Sequence, residues 1–136
     1  MNSFKSGSDG GSLLNVMVVD DQKAMRSIIK QLLRQEHFNK IVEAGNGAEA
    51  MKILADPDAL LPDVIVCDLY MDSMDGMEFV HRLRRNGSPI PVIILTGEQN
   101  AFMHDVTRQA GATRVLPKPV SAKKLALEIQ TAVGAY

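Results

Sequence analysis

The chain has 136 residues, 46 % of them hydrophobic and 23 % charged, and its formal net charge at pH 7 is -1. This length fits one domain, and the composition is that of a folded protein rather than a disordered chain. The near-neutral charge gives no support to nonspecific binding of nucleic acid, and no stretch approaches the roughly 20 apolar residues that span a bilayer. With one cysteine, Cys67, and no signal peptide, we expect a cytoplasmic protein without direct nucleic-acid contact or membrane insertion.

Residues 1–12 are polar and rich in glycine and serine, which predicts a flexible N-terminal tail. From Leu13 onward the pattern alternates regularly, so residues 13–136 are predicted to form the folded domain. Short apolar runs predict strands buried on both faces of a sheet. These runs are residues 13–19, 40–44, 64–67, 91–95 and 113–116.

Apolar residues at helical spacing predict an amphipathic helix after each of these strands. Residues 22–36, 76–85 and 100–110 form the first, third and fourth helices, and Asn46 and Ser121 are suited to cap the second and fifth. In the fourth helix we expect Phe102, Met103 and Val106 to face inward. Strands that alternate with helices in this way predict an α/β fold, a five-stranded parallel doubly wound sheet with five helices.

Polar side chains follow the predicted strands at their carboxyl ends. Asp20 and Asp21 follow the first strand, Asp68 the third, Thr96 the fourth and Lys118 the fifth. Because the carboxyl ends of parallel strands meet at one edge of the sheet, where ligands bind, we expect these groups to converge.

Physical chemistry indicates what such a group can do. Crowded carboxylates raise one another's pKa unless a cation holds them, and an oxygen-only ligand set suits Mg²⁺. A lysine such as Lys118 offers a compact charge to a phosphoryl oxygen, and the Thr96 hydroxyl offers another donor. A carboxylate can also act as the nucleophile and form an aspartyl phosphate, which gives Asp68 its interpretation. The group therefore predicts a phosphoryl-transfer site that works by positioning and charge neutralisation.

Five segments in order resemble the receiver domain of two-component response regulators, over essentially everything from Leu13 to the carboxyl end. They are VMVVDDQKAMR, EAGNGAEA, DVIVCDLYMDSMDGMEF, PVIILTG and GATRVLPKP. The resemblance is to the single-domain, chemotaxis-regulator type, and it implies the flavodoxin-like strand order 2-1-3-4-5. It also implies Mg²⁺-dependent phosphorylation of Asp68 by a histidine kinase or phosphotransfer protein, which switches the binding of a partner.

The resemblance further implies a role for each site residue. Lys118 would pair with the phosphoryl group, Thr96 would move to bond it, and the peptide bond before Pro119 would be cis. Asp21 would contact the metal directly, Asp20 directly or through water, and Tyr70 through its backbone carbonyl. The implied Mg²⁺ ligands are Asp20, Asp21, Asp68 and Tyr70.

Two surfaces for partners are implied in the same way. An apolar patch near Met25 and Ile28 would dock the phosphodonor, and a downstream protein would bind the face of the fourth helix, fifth strand and fifth helix. The chain ends one helix after Lys118, so we expect a stand-alone receiver or a fragment of a longer protein. It is not expected to be an enzyme, because it would catalyse only its own phosphorylation and dephosphorylation.

Some positions depart from the family pattern. Val115 stands three residues before Lys118, where members often carry a Tyr or Phe whose ring swings on phosphorylation. Without a ring, we expect the signal to travel by loop rearrangement alone. Tyr70 and Glu98 occupy positions that set the dephosphorylation rate in the family, and they could shield the acyl phosphate or position a water.

Three other functions are weighed against this interpretation. A pseudo-receiver, folded and partner-binding but not phosphorylated, stays open because of Val115. A phosphatase of the haloacid-dehalogenase type needs a second acid two residues after the nucleophile, where this chain has Tyr70. A flavodoxin-like cofactor carrier needs a Ser/Thr-rich phosphate loop after the first strand, and none follows. Taken alone, Asp21 would simply cap the first helix.

Overall fold

A computed structural model describes residues 12–134 as one parallel sheet with helices on both faces. The strands have the order β2-β1-β3-β4-β5, which confirms the predicted doubly wound, flavodoxin-like arrangement. The strands are β1 (Ser12–Val19), β2 (Phe38–Ala44), β3 (Val64–Asp68), β4 (Val92–Thr96) and β5 (Arg114–Pro117). The helices are α1 (Lys23–Gln35), α2 (Gly47–Ala55), α3 (Gly76–Arg85), α4 (Ala101–Gln109) and α5 (Ala122–Val133).

The start of the described chain differs from the prediction by one residue. Ser12 was expected at the end of the tail but is the first residue of β1, because its backbone N–H donates to the His37 carbonyl at 2.8 Å. The rest of the predicted tail, residues 1–11, lies outside the described residues. Within residues 12–134, every helix is too short or too polar to cross a membrane.

The sheet separates two hydrophobic clusters, because successive strand residues point to opposite faces. On one face Met17 and Ile65 pack with Phe79 of α3. On the other face Val16 and Val66 pack with residues of α1 and α5. Cys67 is buried in the first of these clusters, where it packs as a small hydrophobic residue.

Helix caps follow the sequence in most places. The side chain of Asn46 accepts from Glu49 N at 2.7 Å, and Ser121 accepts from Lys124 N at 3.0 Å. Both predicted caps are therefore confirmed, and each satisfies an amide that has no partner within its helix.

Helix α4 contradicts one prediction. Phe102, expected to face inward, is 70 % exposed, whereas Met103 and Val106 are partly buried and Thr107 is fully buried. The Thr107 hydroxyl donates to the Met103 carbonyl at 2.7 Å, which allows this polar group to lie inside. The inward stripe of this short helix therefore runs through Met103, Val106 and Thr107, and Phe102 lies one position away from it.

Candidate functional site

Three carboxylates meet at the carboxyl ends of β1 and β3, which are neighbouring strands. Asp20, Asp21 and Asp68 each offer one oxygen, and these oxygens all lie within 4.8 Å of one another. The convergence predicted from the strand ends is thus present. Hydrogen bonding of the backbone of Lys118 to the Thr96 carbonyl, at 2.8 Å, brings the end of β5 to the same edge.

Asp68 has one direct cationic partner among the described residues. The Lys118 Nζ donates to Asp68 Oδ1 at 3.0 Å, and both side chains are largely but not fully buried. The Lys118-Pro119 peptide bond is cis, as the resemblance implies. A partly exposed carboxylate beside a fixed ammonium remains accessible from solvent while one of its oxygens is held in a fixed orientation.

Asp20 is the most deeply buried of the three carboxylates, at 1 % exposure. Its Oδ1 accepts from Gln22 N at 2.8 Å, but its Oδ2 has no hydrogen-bond partner in the part of the chain that the structure describes. Burial raises the pKa of the Asp20 carboxyl; the neighbouring charges of Asp68 and Asp21 also raise this pKa, while the Gln22 amide and Lys118 oppose the shift.

These observations test whether the residues fit a divalent cation. A buried carboxylate oxygen without a partner is costly, and here it lies next to two more carboxylates. An oxygen-only set of this kind suits Mg²⁺, which binds through a few carboxylates and keeps several waters. The donor set of Asp20, Asp21 and Asp68 therefore fits the ion that the resemblance implies.

The Asp20→Asn variant is expected to unfold at a higher temperature than the unsubstituted protein at pH 7 in a buffer without divalent cations. The folded-state pKa of Asp20 is raised, so its ionised form costs the folded protein free energy above that pKa. This cost is absent below the ordinary value of 3.8, where the carboxyl is protonated in both states. We expect a gain of roughly 1 kcal/mol at pH 7.

Thermal unfolding with and without Mg²⁺ measures this effect. The ion should stabilise the unsubstituted protein, and should stabilise the variant much less, because a ligand is gone. The exposed Asp58→Asn provides the matched control and should behave as the unsubstituted protein. A variant that is less stable than the parent without the ion at pH 7 would contradict the prediction.

Asp21 does not cap α1, contrary to its simplest interpretation. The N-cap is Gln22, which makes no side-chain cap hydrogen bond, and the helix begins at Lys23. Asp21 Oδ2 instead accepts from the Asp72 amide at 3.0 Å. Its carboxylate therefore connects the end of β1 to the loop after Asp68.

The loop after Asp68 passes very close to the start of α3. The Gly76 amide donates to the Leu69 carbonyl at 2.7 Å, and a Cβ at Gly76 would lie only 2.4 Å from the Asp68 carbonyl oxygen. Only glycine fits at this position without moving the backbone of Asp68.

Glu98 holds together several groups near Asp68. Its amide donates to Thr96 Oγ1 at 2.9 Å, and its Oε2 accepts from the Tyr70 hydroxyl at 3.0 Å. His104 Nε2 lies 2.6 Å from the Glu98 carbonyl oxygen. We call Thr96, Glu98, Tyr70 and His104 the Glu98 network. The hydrogen bond to Glu98 raises the pKa of the Tyr70 hydroxyl. Hydrogen bonds from the Asn100 amide and, to a smaller extent, from Tyr70 lower the pKa of the Glu98 carboxyl.

Sequence reasoning found the members of this network only in part. Tyr70 and Glu98 were singled out by position, but their mutual hydrogen bond was not predicted. His104 was given no role by the sequence, and its contact with the Glu98 carbonyl is seen only in the structure. Glu98 lies two residues before Asn100, the N-cap of α4, and His104 lies in the first turn of this helix. This spacing is the signal in the sequence that points to their contact.

Met25 and Ile28, the residues of the predicted docking patch, lie beside a hollow at the surface. Ile28 is 49 % exposed, and Met25 is partly buried. Together with Lys118 they line an apolar hollow of about 420 Å³ between α1 and the segment after β5. Lining residues include Met25, Ile28, Leu32, Leu95, Lys118 and Val120. The hollow adjoins the acidic group through Lys118, which contacts Asp68.

The doubly wound sheet and the acidic group at its carboxyl edge define a receiver-type α/β domain. Residues 16–130 match the family described as "Response regulator receiver domain", and the chain belongs to this family. The resemblance noted in the sequence is thereby confirmed.

Curated relatives carry names from the same family. The probable chemotaxis protein CheY of Rhizobium etli is 32 % identical over 124 residues, which cover 90 % of this chain and 94 % of that protein. The response regulator MprA of Mycobacterium sp. strain KMS is 30 % identical over 112 residues, 82 % of this chain and 47 % of that protein. The chain thus spans about half the length of the MprA relatives that it matches.

Solved structures agree with the fold. The receiver domain of the Francisella response regulator 1452 has a TM-score of 0.79 and 26 % identity, and the match covers 89 % of this chain and 97 % of that one. The chemotaxis protein CheY4 of Vibrio cholerae has a TM-score of 0.76 and 27 % identity, with 89 % and 99 % covered.

Proposed function

We propose that this receiver domain is a phosphate acceptor in which Asp68 takes a phosphoryl group in a Mg²⁺-dependent reaction. The observation that carries the proposal is the contact of Lys118 Nζ with Asp68 Oδ1 at 3.0 Å, beside a group of three carboxylates with one unpartnered buried oxygen. A carboxylate nucleophile, a fixed ammonium and a cation-binding oxygen set are the parts that phosphoryl transfer needs.

The transfer itself is a displacement at phosphorus. A carboxylate oxygen of Asp68 forms a bond to phosphorus, and the bond from phosphorus to the donor breaks with its electron pair leaving on the donor. Lys118 holds the acceptor carboxylate and can donate to a phosphoryl oxygen. Mg²⁺, when bound, would neutralise charge on the phosphoryl oxygens. Its ligands would be Asp20, Asp21, Asp68 and the backbone carbonyl of Tyr70.

The partners follow from the same proposal. A histidine kinase or phosphotransfer protein would present the phosphoryl group over the hollow near Met25 and Ile28, which adjoins Lys118. The phosphorylated form would bind a downstream protein at the face of α4, β5 and α5. We place the protein in the cytoplasm, and we regard it as a switch that acts on itself rather than as an enzyme with a separate substrate.

Intact mass spectrometry tests the proposal directly. The protein is incubated with a small acyl-phosphate donor, with and without Mg²⁺, next to Asp68→Asn and the exposed control Asp58→Asn. We expect one added phosphoryl group, dependent on Mg²⁺, in the parent and in Asp58→Asn but not in Asp68→Asn. A folded protein that gains no mass under any condition would favour the pseudo-receiver alternative.

The Glu98 network supports a route for the signal that needs no aromatic ring at Val115. Thr96 Oγ1 accepts from the Glu98 amide, so a Thr96 hydroxyl that turns to a phosphoryl oxygen gives up this bond. Glu98 also holds His104 through its carbonyl, so its displacement pulls directly on the first turn of α4. The loop rearrangement expected from the sequence would therefore reach α4 through hydrogen bonds.

Amide chemical shifts with and without beryllium fluoride and Mg²⁺, which mimic the phosphoryl group, measure this route. We expect changes from Glu98 through α4 to β5 in the parent. His104→Ala should reduce the changes in α4 to about half or less while the acceptor loop still responds, because the bond to Glu98 is lost. His81→Ala, at an exposed position of α3, is the matched control. Silence across residues 102–118 in the parent would contradict the route.

A further inference from the structure

A small hollow lies on the face of α4, β5 and α5, and its lining is rich in cations. Its volume is about 250 Å³. Val115 and Leu116 form an apolar floor, both of them buried. The full lining consists of Arg108, Arg114, Val115, Leu116, Lys124 and Glu128.

The single carboxylate in the hollow, Glu128, already has cationic partners from this chain. The Glu128 side chain is 5 % exposed; its Oε1 accepts from Arg114 Nε at 2.6 Å, and its Oε2 lies 2.9 Å from Lys124 Nζ. The hydrogen bond from Arg114 holds the pKa of Glu128 below its ordinary value, so the carboxylate stays ionised. Glu128 thus fixes both cations at the hollow and has no oxygen left without a partner.

The cations keep unused donors. Arg114 and Lys124 are about half exposed, and Arg114 reaches Glu128 through Nε alone. Its terminal nitrogens contact no acceptor within residues 12–134. Arg108 is paired through one terminal nitrogen, with Asp105 three residues earlier in α4. Three cations, Arg108, Arg114 and Lys124, line the hollow with one carboxylate, Glu128, so its charge is positive.

The size of the Val115 side chain determines how deeply a side chain of a partner can enter the hollow. A valine side chain is small, and it leaves open space between itself and the three cations. A partner side chain that fills this space needs an anionic end group to contact the free guanidinium nitrogens, and an apolar part to cover Val115 and Leu116. A glutamate or aspartate side chain next to an apolar residue has this chemistry, because planar guanidinium groups bind carboxylates through two parallel hydrogen bonds.

We propose that this hollow is the docking site for an acidic segment of a partner protein, with one carboxylate side chain held between Arg108, Arg114 and Lys124. The inference rests on the proposed function, since it names the chemistry of the partner that the phosphorylated receiver binds. Charge complementarity carries the choice of an acidic protein segment over nucleic acid, because the hollow has an apolar floor and room for a side chain, not for a duplex.

The test is an NMR titration of the full chain, with and without beryllium fluoride and Mg²⁺, against a short peptide rich in Asp and Glu around a central Leu. The counterpart peptide carries Lys at each acidic position. We expect the acidic peptide to shift the amides of Arg108, Val115 and Lys124, more strongly with the phosphoryl mimic and more weakly at high salt. The Lys peptide should shift none of them.

Two variants keep the test independent of folding defects. Arg108→Gln removes one cation that does not hold Glu128, and it should weaken binding about tenfold. Val115→Phe keeps every charge but fills the hollow, and it should abolish the shifts. Arg114 is left in place because its loss would strand the buried Glu128 carboxylate. Arg82→Gln, at an exposed position of α3, is the control and should bind the acidic peptide as the parent does.

Other outcomes separate the alternatives. Equal binding by Val115→Phe, or tighter competition by a short oligonucleotide, would overturn the assignment. Self-association that Arg108→Gln abolishes and the peptide does not displace would also overturn it and assign the hollow to a second copy of the chain. A protein that takes a phosphoryl group but binds no acidic peptide sinks this inference alone. Peptide binding without any phosphorylation sinks the phosphate-acceptor proposal and leaves the docking site standing.

Discussion

Replacing Lys118 with methionine is expected to slow the phosphorylation of Asp68 by a small acyl-phosphate donor about 100-fold or more. Its ammonium lies 3.0 Å from the acceptor oxygen and is the one cation in direct contact with it among the described residues. Methionine keeps most of the apolar stem but removes the donor from the place where charge develops during transfer. The rate of mass gain under excess donor and Mg²⁺ measures the effect.

Mg²⁺ affinity serves as a second readout on the same variant. The acidic group would lose a competing positive charge, so the ion should bind at least as tightly as in the parent. Lys123→Met, at the exposed start of α5, is the matched control and should accept the phosphoryl group at the parental rate. If Lys118→Met kept the parental rate while folded and metal-bound, the role of Lys118 in the transfer would be wrong.

Gly76→Ala is expected to destabilise the fold by about 3 kcal/mol, at the upper end of the usual cost of overpacking. The new Cβ would lie 2.4 Å from the Asp68 carbonyl oxygen and 3.0 Å from Leu69 Cα. Both are backbone atoms, and the hydrogen bond from Gly76 to the Leu69 carbonyl holds the two segments together. Relief of the clash must therefore shift the acceptor segment itself, so phosphorylation should slow as well.

Urea unfolding of Gly76→Ala next to Gly97→Ala measures this cost. Gly97 lies in the neighbouring loop, and a Cβ there would meet no atom within 4 Å. We expect Gly97→Ala to change the free energy of unfolding by no more than about 0.5 kcal/mol. Equal effects of the two substitutions would contradict the close approach of Gly76 to the acceptor.

Much of the fold could be predicted because buried parallel strands appear as continuous apolar runs. The run predicted at residues 91–95 and the observed strand Val92–Thr96 differ by one residue, since ladder hydrogen bonds rather than hydropathy set the end of a strand. Phe102 was misplaced for a related reason. Adjacent residues lie about 100° apart around a helix, so Phe102 and Met103 do not share one face, and a helix as short as α4 offers few apolar positions to show which of them lies inward.

The candidate site was predictable as far as topology determines it. Parallel strand ends meet at one edge of the sheet, so the sequence predicted that Asp20, Asp68 and Lys118 lie close together, as they do in the structure. The contact of Tyr70 with Glu98 could not be predicted, because it depends on side-chain rotamers in two loops 28 residues apart. The unpartnered oxygen of Asp20 also requires coordinates, since burial of individual atoms has no signature in the sequence.

The division of the core by the sheet has a consequence for how this protein can change over evolutionary time. Met25 of the docking patch packs against the cluster under α1 and α5, whereas Leu69 and Met74 beside the acceptor belong to the cluster under α2 and α3. Substitutions in clusters that share no contacts add nearly independently in free energy. The surface around Met25 can therefore diverge by repacking one face, while the packing that holds the loop after Asp68 on the other face is inherited unchanged.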